Sequence, residues 1–208
     1  MNVYQAFVGW SDAWSDAAGH NQLSYTLHLS PGGFSGPASD ASLSTFSNGR
    51  VTQALYAYLS ASFSRTTRLP GRWTVDNTLI GQVASGALPD TEQSGLGGSD
   101  LVRGYTLDDG AFDDSIVSRN ELRAPPLALL QSHGPLAGAL SPYAFLDGAL
   151  GSSHAVKGTA HPASTGVGAD YQMGGHLTAS ASAAYDLSNG LETRRGDWVV
   201  QGRVSLSF

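Results

Sequence analysis

From Trp198 to Phe208 the chain alternates: Trp198, Val200, Gly202, Val204, Leu206 and Phe208 fall on one side of an extended backbone, and Gln201, Arg203, Ser205 and Ser207 on the other. A strand turns successive side chains to opposite faces, so a period of two marks a strand and does not fit the longer period of an amphipathic helix. The same rhythm recurs upstream. Leu177, Ala179, Ala181, Ala183, Tyr185 and Leu187 oppose Thr178, Ser180, Ser182, Ala184 and Asp186. Val167, Ala169, Tyr171 and Met173 oppose Gly166, Gly168, Asp170 and Gln172. The chain is built to make a sheet with one apolar and one polar face.

Charge decides what the apolar face meets. Asp, Glu, Lys and Arg make up 13% of the chain, with 26 glycines in 208 residues, against roughly a quarter charged in soluble domains. That is poor material for a water-facing surface. No apolar run approaches the ~20 residues a membrane helix needs, so if a membrane is crossed, strands cross it. The pattern predicts an all-β, antiparallel up-and-down meander of about nine strands, near 2–11, 22–30, 51–64, 72–87, 112–123, 141–152, 164–173, 176–188 and 197–208. Most of these match the ~9–11 residues of a tilted transmembrane strand. Residues 1–208 read as one unit, the C-terminal portion of a transmembrane β-barrel, with an inserted loop at about 88–111.

Bacterial single-chain barrels have even strand numbers, and in lipid an open edge leaves backbone groups unpaired. The reading therefore expects an open sheet with two exposed edges, completed by strands outside this sequence. Met1 is not followed by a basic segment, an apolar stretch and a cleavage site, so an export signal is expected upstream. The absence of cysteine removes thiol catalysis and thiolate metal sites. A net charge of −6 with a single lysine argues against nucleic acid as a partner.

One loop departs from this low-charge background. Glu92-Gln93-Ser94-Gly95-Leu96-Gly97-Gly98-Ser99-Asp100-Leu101-Val102-Arg103-Gly104-Tyr105 places an arginine among glycines, and Phe145-Leu146-Asp147-Gly148 places a carboxylate on a strand. Arginine offers a planar fork that a carboxylate accepts bidentately, while Gly97, Gly98 and Gly104 let the loop double back. Tyr143, Phe145 and Asp147 share one strand face and Ala144, Leu146, Gly148 and Leu150 the other, so Asp147 is expected to point inward.

These residues, with Gln82, Asp109-Gly110 and Glu121-Leu122-Arg123, resemble the transporter half of two-partner secretion systems: the filamentous-haemagglutinin and haemolysin secretion/activation proteins, of the outer-membrane assembly-insertase superfamily. Ser94 departs from the aromatic usual there. The resemblance implies a bacterial outer-membrane pore that exports a partner exoprotein of haemolysin or adhesin type, with no enzyme activity and no cofactor. It implies a latch of Arg103 on Asp147, with Val102, Gly104, Tyr105, Phe145 and Gly148 supporting the loop. A terminal strand ending in Phe208 would be the signal for the barrel assembly machinery, as in barrel proteins generally. With that end in the periplasm, 31–50, 88–110, 153–163 and 188–196 are expected outside, and 124–140 and 172–175 in the periplasm. An assembly insertase of the same superfamily and a passive porin are the competing readings.

Other polar groups promise less. Asp108, Asp109, Asp113 and Asp114 cluster around Gly110 without calcium-loop spacing and read as solvated loop carboxylates. His20, His28, His133, His154, His161 and His176 show no metal-ligand spacing and are expected in loops and at rims. Ser35 and Ser99 complete no nucleophile elbow. Trp10, Trp14, Trp73, Trp198, Tyr56 and Tyr58 are placed in aromatic girdles at the water–lipid boundary.

Overall fold

The computed structural model describes residues 2–33, 35–129, 137–174 and 177–207. Phe208, His133 and His176, the middle of the 124–140 connection and the last residue of the 172–175 turn lie outside the described residues. In chain order the strands are β1 (Ala6–Ser15), β2 (Gly19–Pro31), β3 (Leu55–Arg68), β4 (Thr74–Ala84), β5 (Ser94–Gly95), β6 (Ala111–Phe112), β7 (Asp114–Arg123), β8 (Leu127–Leu129), β9 (Gly138–Ser152), β10 (Thr159–Ala160), β11 (Ala163–Met173), β12 (Leu177–Asp186) and β13 (Trp198–Leu206). Nine of them form one antiparallel path, β1-β2-β3-β4-β7-β9-β11-β12-β13, with β8 and β10 pairing onto β9. Each neighbour on that path is also next in sequence among the long strands, so the architecture is an up-and-down meander. The sheet does not close on itself: β1 and β13 each pair on one side among the described residues.

The dyad pattern sorts side chains as the alternation predicts. Trp198, Val200, Val204 and Leu206 are 61–79% exposed on one face of β13. Leu146, Leu150, Val167, Leu79 and Val83 are exposed on the same side of the sheet. The opposite face carries Phe145, Asp147, Val117, Ala184 and Asp186, all buried. Residues 85–113 cover them: Leu96, Val102 and Tyr105 pack with Val117 and Ala149 as one apolar cluster. The inner face is thus covered by an inserted segment, while the outer face is unsheltered.

Antiparallel order puts the ends of β2, β4, β9 and β12, with the described parts of the connections that follow them, at one end of the sheet and the ends of β1, β3, β7 and β11 at the other. The connection after β2 holds a short helix α1 (Asp40–Phe46), capped by Ser39 Oγ accepting the Ser42 N–H.

Several expectations are corrected. The first strand is 6–15 rather than 2–11, because its hairpin closes at Asp16, whose carboxylate accepts the Ala18 and Gly19 N–H groups at 2.8 Å. The 124–140 connection is shorter than expected: β9 begins at Gly138 and Leu127–Leu129 folds back onto it. Tyr56 and Tyr58 lie on the inner face, 3% and 7% exposed, instead of in a girdle. Tyr58 donates to Glu92 Oε2 at 2.6 Å, which offsets its burial. His28 sits within β2, stacked on Tyr58 with ring centroids 4.4 Å apart.

Candidate functional site

The floor of the site is a strand surface made flat by glycine. On β9, Tyr143 and Phe145 face inward opposite Gly168 and Gly166 of β11. A Cβ on Gly166 would lie 2.5 Å from Phe145 Cζ, and one on Gly168 would lie 2.4 Å from Tyr143 Cζ. Bare backbone therefore lets both rings lie down across the neighbouring strand.

Arg103 rests on that floor. Its guanidinium carbon is 3.7 Å from the Phe145 ring centroid and 5.6 Å from that of Tyr143, placing the cation against aromatic faces. The fork is bidentate: Arg103 Nε donates to Asp147 Oδ2 at 2.7 Å and Nη2 to Asp147 Oδ1 at 2.8 Å. The Arg103 backbone N–H also reaches Asp147 Oδ2 at 3.3 Å, and Nη1 donates to Glu121 Oε1 at 2.6 Å. Arg103 is 3% exposed and Asp147 1%. Removing one member of a pair desolvated this far leaves a buried charge without compensation, a cost of about 3–5 kcal/mol.

Glu121 joins this pair to a second one. Arg123 donates to Glu121 Oε2, to Asp170 Oδ2 at 2.7 Å, and lies 3.0 Å from Asp76 Oδ2 and 4.6 Å from the Tyr143 ring centroid. Charges from β4, β7, the inserted loop, β9 and β11 thus form one network along the inner wall.

The loop earns its shape from backbone that only glycine fits. Gly97 pairs with Val102, and a Cβ there would come 2.3 Å from Thr106 O. Gly104 has φ +97, and a Cβ would come 2.0 Å from Asp186 Oδ1. Val102 is fully buried and its N–H bonds Leu96 O at 3.0 Å. The Tyr105 hydroxyl lies 2.7 Å from Ser188 O and 3.0 Å from Ala163 O, tying the loop to the ends of β12 and β11.

Two carboxylates expected in solvent are buried at the loop's base. Asp109, 3% exposed, accepts the Thr193 and Glu192 N–H groups at 2.9 Å, the Thr193 hydroxyl at 2.6 Å and the Thr106 N–H at 2.8 Å. Burial pushes its pKa up, but these donors outweigh it and bring it down to about 2. Asp113, fully buried, accepts Leu88 N–H, the Gln93 amide, Ser153 O–H and His154 N–H. There too the donors outweigh burial and hold the carboxyl below its ordinary value. Asp114 accepts the Ala84 N–H and lies 2.9 Å from His154 Nε2, whereas Asp108 is exposed. The correction has a simple cause: peptide donors from other loops replace water around Asp109 and Asp113. Gln82 completes the base, its amide donating to Glu92 O at 2.9 Å.

The model of the haemolysin secretion/activation protein ShlB/FhaC/HecB family matches residues 8–172. The chain belongs to that family. Among solved structures it is similar to CdiB from Escherichia coli, with a TM-score of 0.78 and 21% identity over 98% of this chain and 36% of that one. The chain therefore spans about a third of that protein's length, and the likeness is one of fold. No curated protein matches it.

Within this ShlB/FhaC/HecB-family chain, the structure brings Arg103, Asp147, Phe145, Val102, Gly104 and Tyr105 into one inner-face assembly. Gly148 is apart from them. It pairs with Ser118 and Ala163, and strand parity turns its position to the outer face. Two further members carry no role in the sequence reading. Glu121 appears there as part of a motif, and its signal is parity: Ile116 and Leu122 face outward, so Glu121 faces inward, in register with Phe145. Asp186 is the other, already placed on the polar side of β12 by the alternation.

Proposed function

We propose that the protein forms part of an outer-membrane pore through which a partner exoprotein, a haemolysin or adhesin, is exported across the bacterial outer membrane. Family membership supports transport of that kind, and the exposed apolar face of the meander suits hydrocarbon. The observation that carries the reading is the buried Arg103–Asp147 fork. It holds residues 94–106 against the inner wall, where they occupy the path a cargo would take. In this reading the loop is an anchored plug whose release or displacement clears the pore. Val102 and Tyr105 pack it down, Phe145 carries the arginine, and Gly104 lets the tip approach the wall. The long connections, including 187–197, face outside, lipid surrounds the outer face, and Phe208 serves recognition by the barrel assembly machinery. The protein acts as a conduit rather than an enzyme, and needs no cofactor.

The test is Arg103→Ala in the protein as expressed in its host, with export of its partner exoprotein measured in the medium. Export should fall sharply while the amount of heat-modifiable, membrane-inserted barrel stays near wild type. Undiminished export would remove the latch. Loss of other barrel proteins from the membrane, with export intact, would favour an assembly insertase.

A further inference from the structure

The Arg103–Asp147 fork uses one end of a longer polar row. Asp147, Ser164 and Asp186 lie in register on β9, β11 and β12, on the same inner face, and none is more than 1% exposed. Asp147 holds Arg103. Both oxygens of Asp186, and the Ser164 hydroxyl between the two carboxylates, have no hydrogen-bond partner among the described residues. An orphaned carboxylate at zero exposure is costly and calls for an explanation. Asp109 and Asp197 add negative charge around it, which a cation seated there would offset.

A candidate cation is on the loop tip. Asp186 Oδ1 lies directly against Gly104: a Cβ built there would sit 2.0 Å from it. Arg103 is the adjacent residue, and its own backbone N–H points to Asp147. The backbone of 103–104 therefore spans the gap between the two carboxylates. Strands repeat at about 4.8 Å, so these acids stand about 10 Å apart across β11. From a backbone between them, an arginine side chain reaches either. The Asp186 backbone is fixed by Gly196 N–H on its carbonyl at 2.8 Å and by its own N–H on Asp197 O at 3.1 Å, so the stem of the carboxylate is held in place.

We propose that Asp186 is a second seat for the Arg103 guanidinium, with Ser164 midway, so that the loop tip has two anchored positions on the inner wall. The proposal rests on Arg103 as the loop's anchor. Swinging from Asp147 to Asp186 releases Glu121 and the Phe145 ring while keeping the cation paired with a carboxylate. A loop that exchanges seats loosens stepwise, with the cation paired to a carboxylate in either position.

The test is a double-mutant cycle in the full-length protein in lipid vesicles, reading hydrogen exchange of residues 94–106. With a second seat, the increase in exchange caused by Asp186→Asn is about ten-fold larger in an Asp147→Asn background than with Asp147 present, as expected for loss of a hydrogen bond to a charged group. Equal effects in both backgrounds mean that Asp186 is only structural and overturn the proposal. If Asp147→Asn does not insert, Glu121→Gln supplies the weakened first seat and the same non-additivity is required. Arg103→Ala in the same assay separates the two readings. If it leaves exchange unchanged, the anchor and the second seat both fail; if it raises exchange while the cycle is additive, the second seat alone fails.

Discussion

Gly104 and Gly98 allow one substitution to be made twice with different physics. Both have positive φ, +97 and +129, so alanine at either pays for a backbone conformation that L-residues avoid, about 1–2 kcal/mol. Around Gly98 there is nothing within 4 Å of an added Cβ, and the backbone cost is the whole effect. At Gly104 the added carbon would come 2.0 Å from Asp186 Oδ1 and 3.3 Å from Ala184 Cβ. Asp186 is fully buried, and where its carboxylate has no room to turn aside the loop tip lifts by about 1 Å to restore ordinary contact. The Arg103–Asp147 bonds of 2.7 and 2.8 Å do not survive such a lift. Losing them adds about 1.5–3 kcal/mol to the backbone cost. The expected destabilisation of the docked loop is thus about 2.5–5 kcal/mol for Gly104→Ala and about 1–2 kcal/mol for Gly98→Ala. Hydrogen exchange of residues 94–106 in the membrane-inserted protein reads both, with heat-modifiability confirming that the barrel has formed. Indistinguishable exchange in the two variants would refute the claim that the tip is pressed against the wall at Asp186.

Two further outcomes follow from the same geometry. Glu121→Gln keeps an acceptor for Arg103 Nη1 but removes the charge shared with Arg123, so exchange of the loop should rise about ten-fold, less than for Arg103→Ala. Asp109, lowered from 3.8 to about 2, stabilises its attachment to Glu192 and Thr193 fully above the ordinary carboxylate pKa. That contribution is lost as the pH falls from about 4 through about 2, so protection of the Glu192 and Thr193 amides should hold at pH 5 and vanish toward pH 2. In Asp109→Asn it should already be weak at neutral pH.

The strands were legible because an outer face in hydrocarbon and a polar inner face impose a period of two, and nothing else in the chain competes with it. Where local chemistry overrode the period, the boundaries moved. Asp12 and Ser15 are polar yet lie within β1, paired with Leu23 and His20, because the hairpin closes at Asp16. Leu127–Leu129 is too short for alternation to show. Arg103 and Asp147 could be paired because the motifs that carry them resemble those of the secretion/activation family, and parity gave the face of Asp147. Contacts between distant loops left no such trace. Nothing in the local sequence of Asp109 or Asp113 reveals that peptide N–H groups of residues 88, 154, 192 and 193 will surround them. Glu121 and Asp186 were half legible: alternation gives their face, but their neighbours depend on strand register, which the hairpin lengths had to set first.

The central claim is that the inserted loop sits against the inner wall because Arg103 holds it there. The chain has no cysteine, so paired labels can be introduced cleanly at Ser99 on the loop and Arg203 on β13, whose side chains meet at 3.1 Å. Electron-spin distance measurement on the membrane-inserted protein should give one short, narrow distribution, and a longer, broad one when Arg103→Ala is added. The same distribution with and without the arginine would contradict the account.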